Sequence, residues 1–138
     1  MEKTLVLIKP DAFSKGHCGD IIKIYEGEGF RIIGMKLLQM TKRLARKHYE
    51  EHIGRPYYDG LESFMTSGPL VAMVLEGEDA IARVRKINGK TNPAEAEEGT
   101  IRKLYAENGS RNAVHASDSP ENARREIHIF FNETELVD

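Results

Sequence analysis

Leu70-Val71-Ala72-Met73-Val74-Leu75 is the stretch that most constrains the fold: six apolar residues in succession, with no polar position to mark a solvent face. Opened by Pro69, a run of this length suits a buried strand, and no apolar run in the chain is long enough to span a membrane. Leu5-Val6-Leu7-Ile8 has the same character and suits a strand covered on both faces. It is closed by Lys9-Pro10-Asp11, because proline cannot continue a hydrogen-bonded ladder. A further strand is expected over residues 30–40, where Ile32, Ile33, Leu37 and Leu38 break strict alternation in a way that allows a bulge or burial on both faces. Helical spacing marks residues 18–28, 42–52 with Thr41 as cap, 59–65, 79–87 and 100–106. The chain then reads as a helix over 120–126 and a last strand, Ile127-His128-Ile129-Phe130-Phe131. The order βαββαβ with helical insertions predicts an α+β, ferredoxin-like arrangement, an antiparallel four-stranded sheet covered by two helices.

A chain of 138 residues is expected to form one domain, residues 1–138, and to bury about two thirds of its unfolded surface. Its 20 basic and 22 acidic residues leave a formal charge of −2, so nothing draws it as a whole to nucleic acid or an anionic membrane. Any polyanion site must be local. Cys18 is the single cysteine, which excludes an intrachain disulfide and suits a reducing compartment. The start, Met1-Glu2-Lys3-Thr4-Leu5, has no signal-peptide pattern, and the expected location is cytoplasmic. The triplets Asn108-Gly109-Ser110 and Asn132-Glu133-Thr134 are therefore discounted as glycosylation sites.

Several short motifs fail on context. Gly27-Glu28-Gly29 follows a helix and precedes a strand, with Ile32 where a dinucleotide loop needs its third glycine. Gly89-Lys90-Thr91 looks like the end of a phosphate loop, but Val84 stands where the first glycine belongs and the triplet runs into Asn92-Pro93. His48-Tyr49-Glu50-Glu51-His52 has the spacing of inverted zinc proteases; it lacks an evident third ligand and lies among basic residues that oppose a dication. The paired Tyr57 and Tyr58, in a loop after Arg55-Pro56, are placed either to pack or to stack on a base.

The densest chemistry lies in Arg111-Asn112-Ala113-Val114-His115-Ala116-Ser117-Asp118, which sets one histidine among a guanidinium, a carboxamide, a hydroxyl and a carboxylate. Ser119-Pro120-Glu121 follows as a helix start, with Ser119 as cap and Pro120 at the first helical position, so His115 lies near a helix end that favours phosphate. The long, weakly periodic stretch 88–114 before it is of the kind that is usually functional or interfacial. With Lys9, Arg85, Thr91, Arg102, Asn112 and Ser117, His115 gives the cations and donors a polyphosphate site needs. The plain alternative makes Lys9, Arg85 and Arg102 solvated charges, and spacing alone does not bring them together.

Lys9-Pro10-Asp11, Ser67-Gly68-Pro69, Thr91-Asn92-Pro93, Gly99-Thr100-Ile101-Arg102 and residues 111–118, in this order and spread over the chain, resemble nucleoside diphosphate kinase. The resemblance implies reversible, ping-pong transfer of the γ-phosphate of a nucleoside triphosphate, mainly ATP, to a nucleoside diphosphate. The carrier would be a phosphohistidine at His115, with Mg2+ on the nucleotide phosphates and no dedicated metal ligand on the protein. It implies that Lys9 binds the transferred phosphate and the sugar, Arg85, Thr91 and Arg102 the other phosphates, and Asn112 the ribose. Glu126 would hold the imidazole, Ser117 would anchor Glu126, Tyr49 would lie beside the phosphohistidine, and Tyr57 would stack on the base. A homo-oligomer is implied, a hexamer or a tetramer built from dimers, with residues 88–114 as an additional interface; neither a membrane nor a specific nucleic acid is expected as partner. Ala116 replaces a frequent glycine, Tyr57 a common phenylalanine, and Gly109 an apolar side chain that many members place against the base. Two readings of other classes stay open: a non-catalytic nucleotide sensor or assembly subunit on the same fold, and an RNA-recognition module. The latter should expose aromatics on its central strands, and Leu70 to Leu75 has none.

Overall fold

A computed structural model describes residues 1–137. The two apolar runs form its central strands, β1 (Glu2–Ile8) and β3 (Pro69–Gly77), which pair antiparallel with Leu5 opposite Val74. Around them lie α1 (Pro10–Ser14), α2 (Cys18–Gly27), β2 (Arg31–Gln39), α3 (Lys42–His48), α4 (Tyr58–Met65), α5 (Ala80–Asn88), α6 (Ile101–Tyr105), β4 (Val114–Ala116) and α7 (Pro120–Phe130). Sheet order is β2-β3-β1-β4, every pairing antiparallel. The architecture is thus the expected α+β one, and a bulge in β2 falls between Ile32 and Gly34.

Successive residues of a strand face opposite ways, and here both faces are covered. Leu5, Leu7, Leu70, Ala72 and Val74 pack with residues of α3, α4 and α7, including Ala45, Met65, Ile127 and Phe130. Val6, Ile8, Val71, Met73 and Leu75 pack with α1, α2, α5 and α6 through Ala12, Ile21, Tyr25, Val84 and Ile101. An antiparallel sheet usually shows alternation because water meets one side; burial on both sides removes it. The helices therefore cover both faces rather than forming one pair on one face. The side an RNA-recognition module would leave open lies under α3, α4 and α7.

Three local expectations are corrected. Residues 127–131 are not the last strand: all but Phe131 complete α7, whose buried Ala123, Glu126, Ile127 and Phe130 follow helical spacing. Periodicity alone cannot separate a short apolar run in a strand from one in a helix. The fourth strand is instead Val114–Ala116, three residues within the polar motif, paired with β1 so that His115 lies opposite Leu7. Pro10 does close β1, but it also opens α1 as its first residue, where its missing N–H costs nothing. Finally, the helix that Thr41 caps through the Leu44 amide ends at His48, and a 3-10 turn, Glu50–His52, follows.

The joint between α5 and α6 has little tolerance. Gly89 ends α5 at φ 87°, ψ 176°, a region essentially restricted to glycine, and an added Cβ would lie 2.6 Å from Thr100 Oγ1. Gly89→Ala is expected to lower the free energy of unfolding by about 2–4 kcal/mol in a urea titration. Gly27→Ala, in α2 with open space around it, is expected to raise it by about 0.5–1 kcal/mol.

Candidate active site

His115 is held through one nitrogen of its ring and through its backbone. Pairing with Leu7 fixes the main chain, and the ring projects into a cleft of about 1080 Å³. Its Nε2 lies 3.1 Å from Glu126 Oε1, which also accepts a 2.6 Å hydrogen bond from the Ser117 hydroxyl. Ser117 is fully buried, and its Oγ in turn accepts from the Leu5 amide, so β1, β4 and α7 meet at one hydroxyl. Ser119 caps α7 through the Asn122 amide and starts the helix where Glu126 returns to the histidine. Burial favours the neutral Glu126 carboxyl, but hydrogen bonds from His115 and Ser117 and the nearby imidazoles outweigh it, so its pKa lies below the usual value. With Nε2 turned to a carboxylate, Nδ1 is the nitrogen left for chemistry.

The turn before His115 is strained. Ala113 takes φ 73°, the left-handed region unfavourable for a residue with a Cβ. Asp11 Oδ2 accepts from its amide at 3.0 Å, and its carbonyl accepts from the Lys9 amide at 2.8 Å. The Val114 amide reaches back to Asn112 O at 2.9 Å, closing a three-residue turn. Asp11 thus does more than end the first strand, a role no local pattern announces.

The structure brings most of the expected residues together. Arg85, Thr91, Arg102 and His115 line the cleft, with Glu126 and Tyr49. Arg102 donates to Gly89 O, Asn112 O and Val114 O, so it ties α5, the long loop and β4 while keeping part of its guanidinium free. Arg85 is exposed and carries its charge toward both Arg102 and Asp118. Lys9 and Asn112 are buried beside the cleft and joined by a 2.8 Å bond from Lys9 Nζ to Asn112 Oδ1. Burial, with the Arg102 charge and against Asp11, lowers the Lys9 pKa to about 8. Tyr57 stands apart: it is 53% exposed and reaches the cleft wall through His52, whose Nδ1 shares a 2.6 Å hydrogen bond with its hydroxyl. Carboxylates line the cleft too, Glu51, Glu95 and Glu97 among them, so its positive character is confined to part of the wall.

His48 was placed by the sequence only in a zinc-like pattern. Its ligand partners are different: His48, His115 and Glu126 offer ligand atoms within 4.8 Å of one another, a group that does not include His52 although it lines the same cleft. A donor set with two imidazoles suits a transition metal rather than Mg2+, which prefers oxygen. His48 is 3% exposed, with neither ring nitrogen hydrogen-bonded to protein. Its ring stands edge-on to His115 with centroids 4.8 Å apart and packs on Tyr49 and Phe130. Arg125, also missed, lines the cleft and donates to His48 O at 2.9 Å.

Comparison with known proteins establishes the family. The family model described as nucleoside diphosphate kinase matches residues 2–136. The chain belongs to the nucleoside diphosphate kinase family. It is 53% identical to the nucleoside diphosphate kinase of Persephonella marina over 138 residues, covering 100% of this chain and 99% of the relative. With that of Carboxydothermus hydrogenoformans it shares 50% over 137 residues, 99% of this chain and 92% of the relative. Among solved structures, the Aquifex aeolicus nucleoside diphosphate kinase superposes with a TM-score of 0.96 at 45% identity, covering 99% of both chains. A halophilic nucleoside diphosphate kinase from Halobacterium salinarum, in complex with CDP, gives 0.96 at 43%, covering 99% of this chain and 91% of that one.

The three departures from the family pattern have distinct settings. Ala116 lies in β4 opposite Val6, and the strain nearby belongs to Ala113 instead. Gly109 lines the cleft with nothing within 4 Å of where a Cβ would stand. Tyr57 has gained a hydroxyl partner in His52.

Burial, with the His115, Arg125 and Lys9 charges and against Glu126, pulls the His48 pKa from 6.5 to about 3. Between these values the unfolded chain takes up a proton that the folded protein refuses, so stability falls as pH drops through that window. The depressed Glu126 pKa acts in the same direction at lower pH. In urea titrations between pH 6 and 4, His48→Leu is expected to flatten the fall by up to about 1.4 kcal/mol per pH unit. Parallel profiles would remove His48 as its source.

Proposed function

We propose that the protein transfers the γ-phosphate of a nucleoside triphosphate, mainly ATP, to a nucleoside diphosphate through a phosphohistidine on His115. The observation that carries this reading is the orientation of the ring: Glu126, itself held by the Ser117 hydroxyl, engages Nε2 and leaves Nδ1 for the cleft. In the first half-reaction Nδ1 attacks the γ-phosphorus, the N–P bond forms as the bond to the β-phosphate oxygen breaks, and the diphosphate leaves with the electron pair. The reverse sequence loads a second diphosphate, so one cleft serves donor and acceptor in turn. Glu126 stabilises the charge that develops on the imidazole, and a held tautomer needs no reorganisation at the moment of transfer.

The remaining roles follow from position. Arg85, Thr91 and the free part of Arg102 are suited to the phosphates, Lys9 to the transferred group, and Asn112 to the ribose. Tyr49, buried on His48 with a raised pKa caused first by burial, stays a neutral hydroxyl beside the histidine. Mg2+ fits this cleft as a passenger on the nucleotide, because it keeps several waters and needs only one or two carboxylates beside phosphate oxygens. Asp118, an exposed residue whose pKa is lowered first by the Asn122 amide and also by the Arg85 charge, lines the cleft and is suited to that water shell.

Residues 1–138 act as one domain in this reading. A homo-oligomer built from dimers is supported by β2, an outer strand of the sheet that exposes Met35 and Leu37, with residues 88–114 as a further contact. The lone Cys18 accords with the cytoplasm, and among the described residues no helix is long and apolar enough to cross a membrane.

Incubation with ATP labelled at the γ-phosphate is expected to label the protein at an acid-labile, base-stable position, and His115→Ala to abolish the label. Label retained in that variant would move the nucleophile elsewhere. A parent protein that takes no label would favour a nucleotide sensor. Ser117→Ala should keep the label but slow its formation, and lose about 1–3 kcal/mol of stability in urea, because the Leu5 amide and Glu126 lose a partner.

A further inference from the structure

We infer that His52 is a positioning residue for the nucleobase: its hydrogen bond to Tyr57 sets the aromatic platform before the nucleotide arrives. This rests on the reading of Tyr57 as the ring on which the base stacks.

An exposed tyrosine is ordinarily free to change rotamer, and ordering it on binding costs affinity. Tyr57 is 53% exposed, yet both ends of its side chain are constrained. Its backbone lies in a tight turn: the Arg55 amide bonds His52 O, the Tyr58 amide bonds Arg55 O, Gly54 takes φ 88°, and Pro56 immediately precedes it. Its hydroxyl is 2.6 Å from His52 Nδ1, and the two rings are tilted with centroids 5.6 Å apart. His52 is itself half-buried and lines the cleft.

The anchor continues inward. The His52 ring meets Tyr49 edge-on at 6.1 Å, Tyr49 meets His48 at 4.4 Å, and His48 meets His115 at 4.8 Å. A single series of ring contacts thus runs from the reactive histidine to the exposed tyrosine. It sets the distance between the phosphoryl end of the cleft and the base platform. Elsewhere on the cleft wall, Gly109 offers no side chain and open space. With one face of the base left to solvent there, the fixed orientation of Tyr57 carries more of the base's binding energy. Phenylalanine at 57 could stack, but it could not take this bond. The pair His52 and Tyr57 is therefore a matched device in this chain, acting on the base and not on the phosphates.

The test measures steady-state KM for ADP with GTP as donor, together with inhibition by inorganic tripolyphosphate, which has no base. His52→Leu and Tyr57→Phe are each expected to raise the KM for ADP about threefold to tenfold, with the change in KM rather than kcat. His52→Asn, whose amide can occupy the place of Nδ1, should recover most of the loss. The double variant His52→Leu with Tyr57→Phe should be no worse than the weaker single, because both remove the same bond. The inhibition constant of tripolyphosphate should stay within twofold of the parent in every variant. Single variants within twofold of the parent, effects that multiply in the double, or equal weakening of tripolyphosphate would each overturn the inference. Tyr57→Ala separates the two layers. If it raises KM while Tyr57→Phe does not, only the anchoring by His52 fails; if Tyr57→Ala has no effect, the base platform itself lies elsewhere.

Discussion

The arrangement depends on one short piece of ladder, the pairing of Val114–Ala116 with β1. Three residues add little stability as a strand. Their importance is positional: they place His115 opposite Leu7, on an outer strand bound directly to β1 of the sheet whose two faces hold the core. A side chain on a rigid strand can be held to the tolerance that group transfer needs, whereas the same histidine on the preceding loop would wander. The hydroxyl of Ser117 then joins that strand to the amide of Leu5 and the carboxylate of Glu126, so ring orientation and backbone position share one support.

The loop leading into this strand is shaped by polar side chains rather than by regular structure. Arg102 spends donors on three backbone carbonyls, and Asp11 and the Lys9 amide hold Ala113 in a conformation it would not choose. Strain of about 1–3 kcal/mol at such a residue persists only where the surroundings over-determine it. Here they do so beside the reactive group. The cations proposed to bind phosphate thus also shape the loop beside the cleft, and Lys9 and Arg102 both have lowered pKa values, caused first by burial.

How much of this was legible depended on the range of the interaction. The two apolar runs and the caps at Thr41 and Ser119 announce themselves within a few residues, whereas broken alternation in β2 leaves a bulge and two-sided burial equally open until pairing with β3 decides for the bulge. The segment Ile127–Phe131 is not legible in this way, because a short apolar run fits a strand or a buried helix face equally well, and contact with the sheet decided for the helix. The strand 114–116 was hidden for the opposite reason: its residues carry chemistry, and only pairing with β1 makes them a strand. His48, His52, Asp11 and Arg125 give no local sign of their roles, which arise from contacts across the fold.

By itself the sequence determined the class of fold, the central strands and, through motifs scattered from Lys9 to Asp118, membership of the nucleoside diphosphate kinase family. Apolar periodicity, capping chemistry and motif spacing are all local in the chain and survive without a structure. Tertiary structure alone decided which strand carries His115, which of its nitrogens meets Glu126, why His48 stays uncharged, and how Tyr57 is held. Those outcomes turn on distances between residues far apart in sequence and on exclusion of water, and neither quantity exists until the chain has closed around the site.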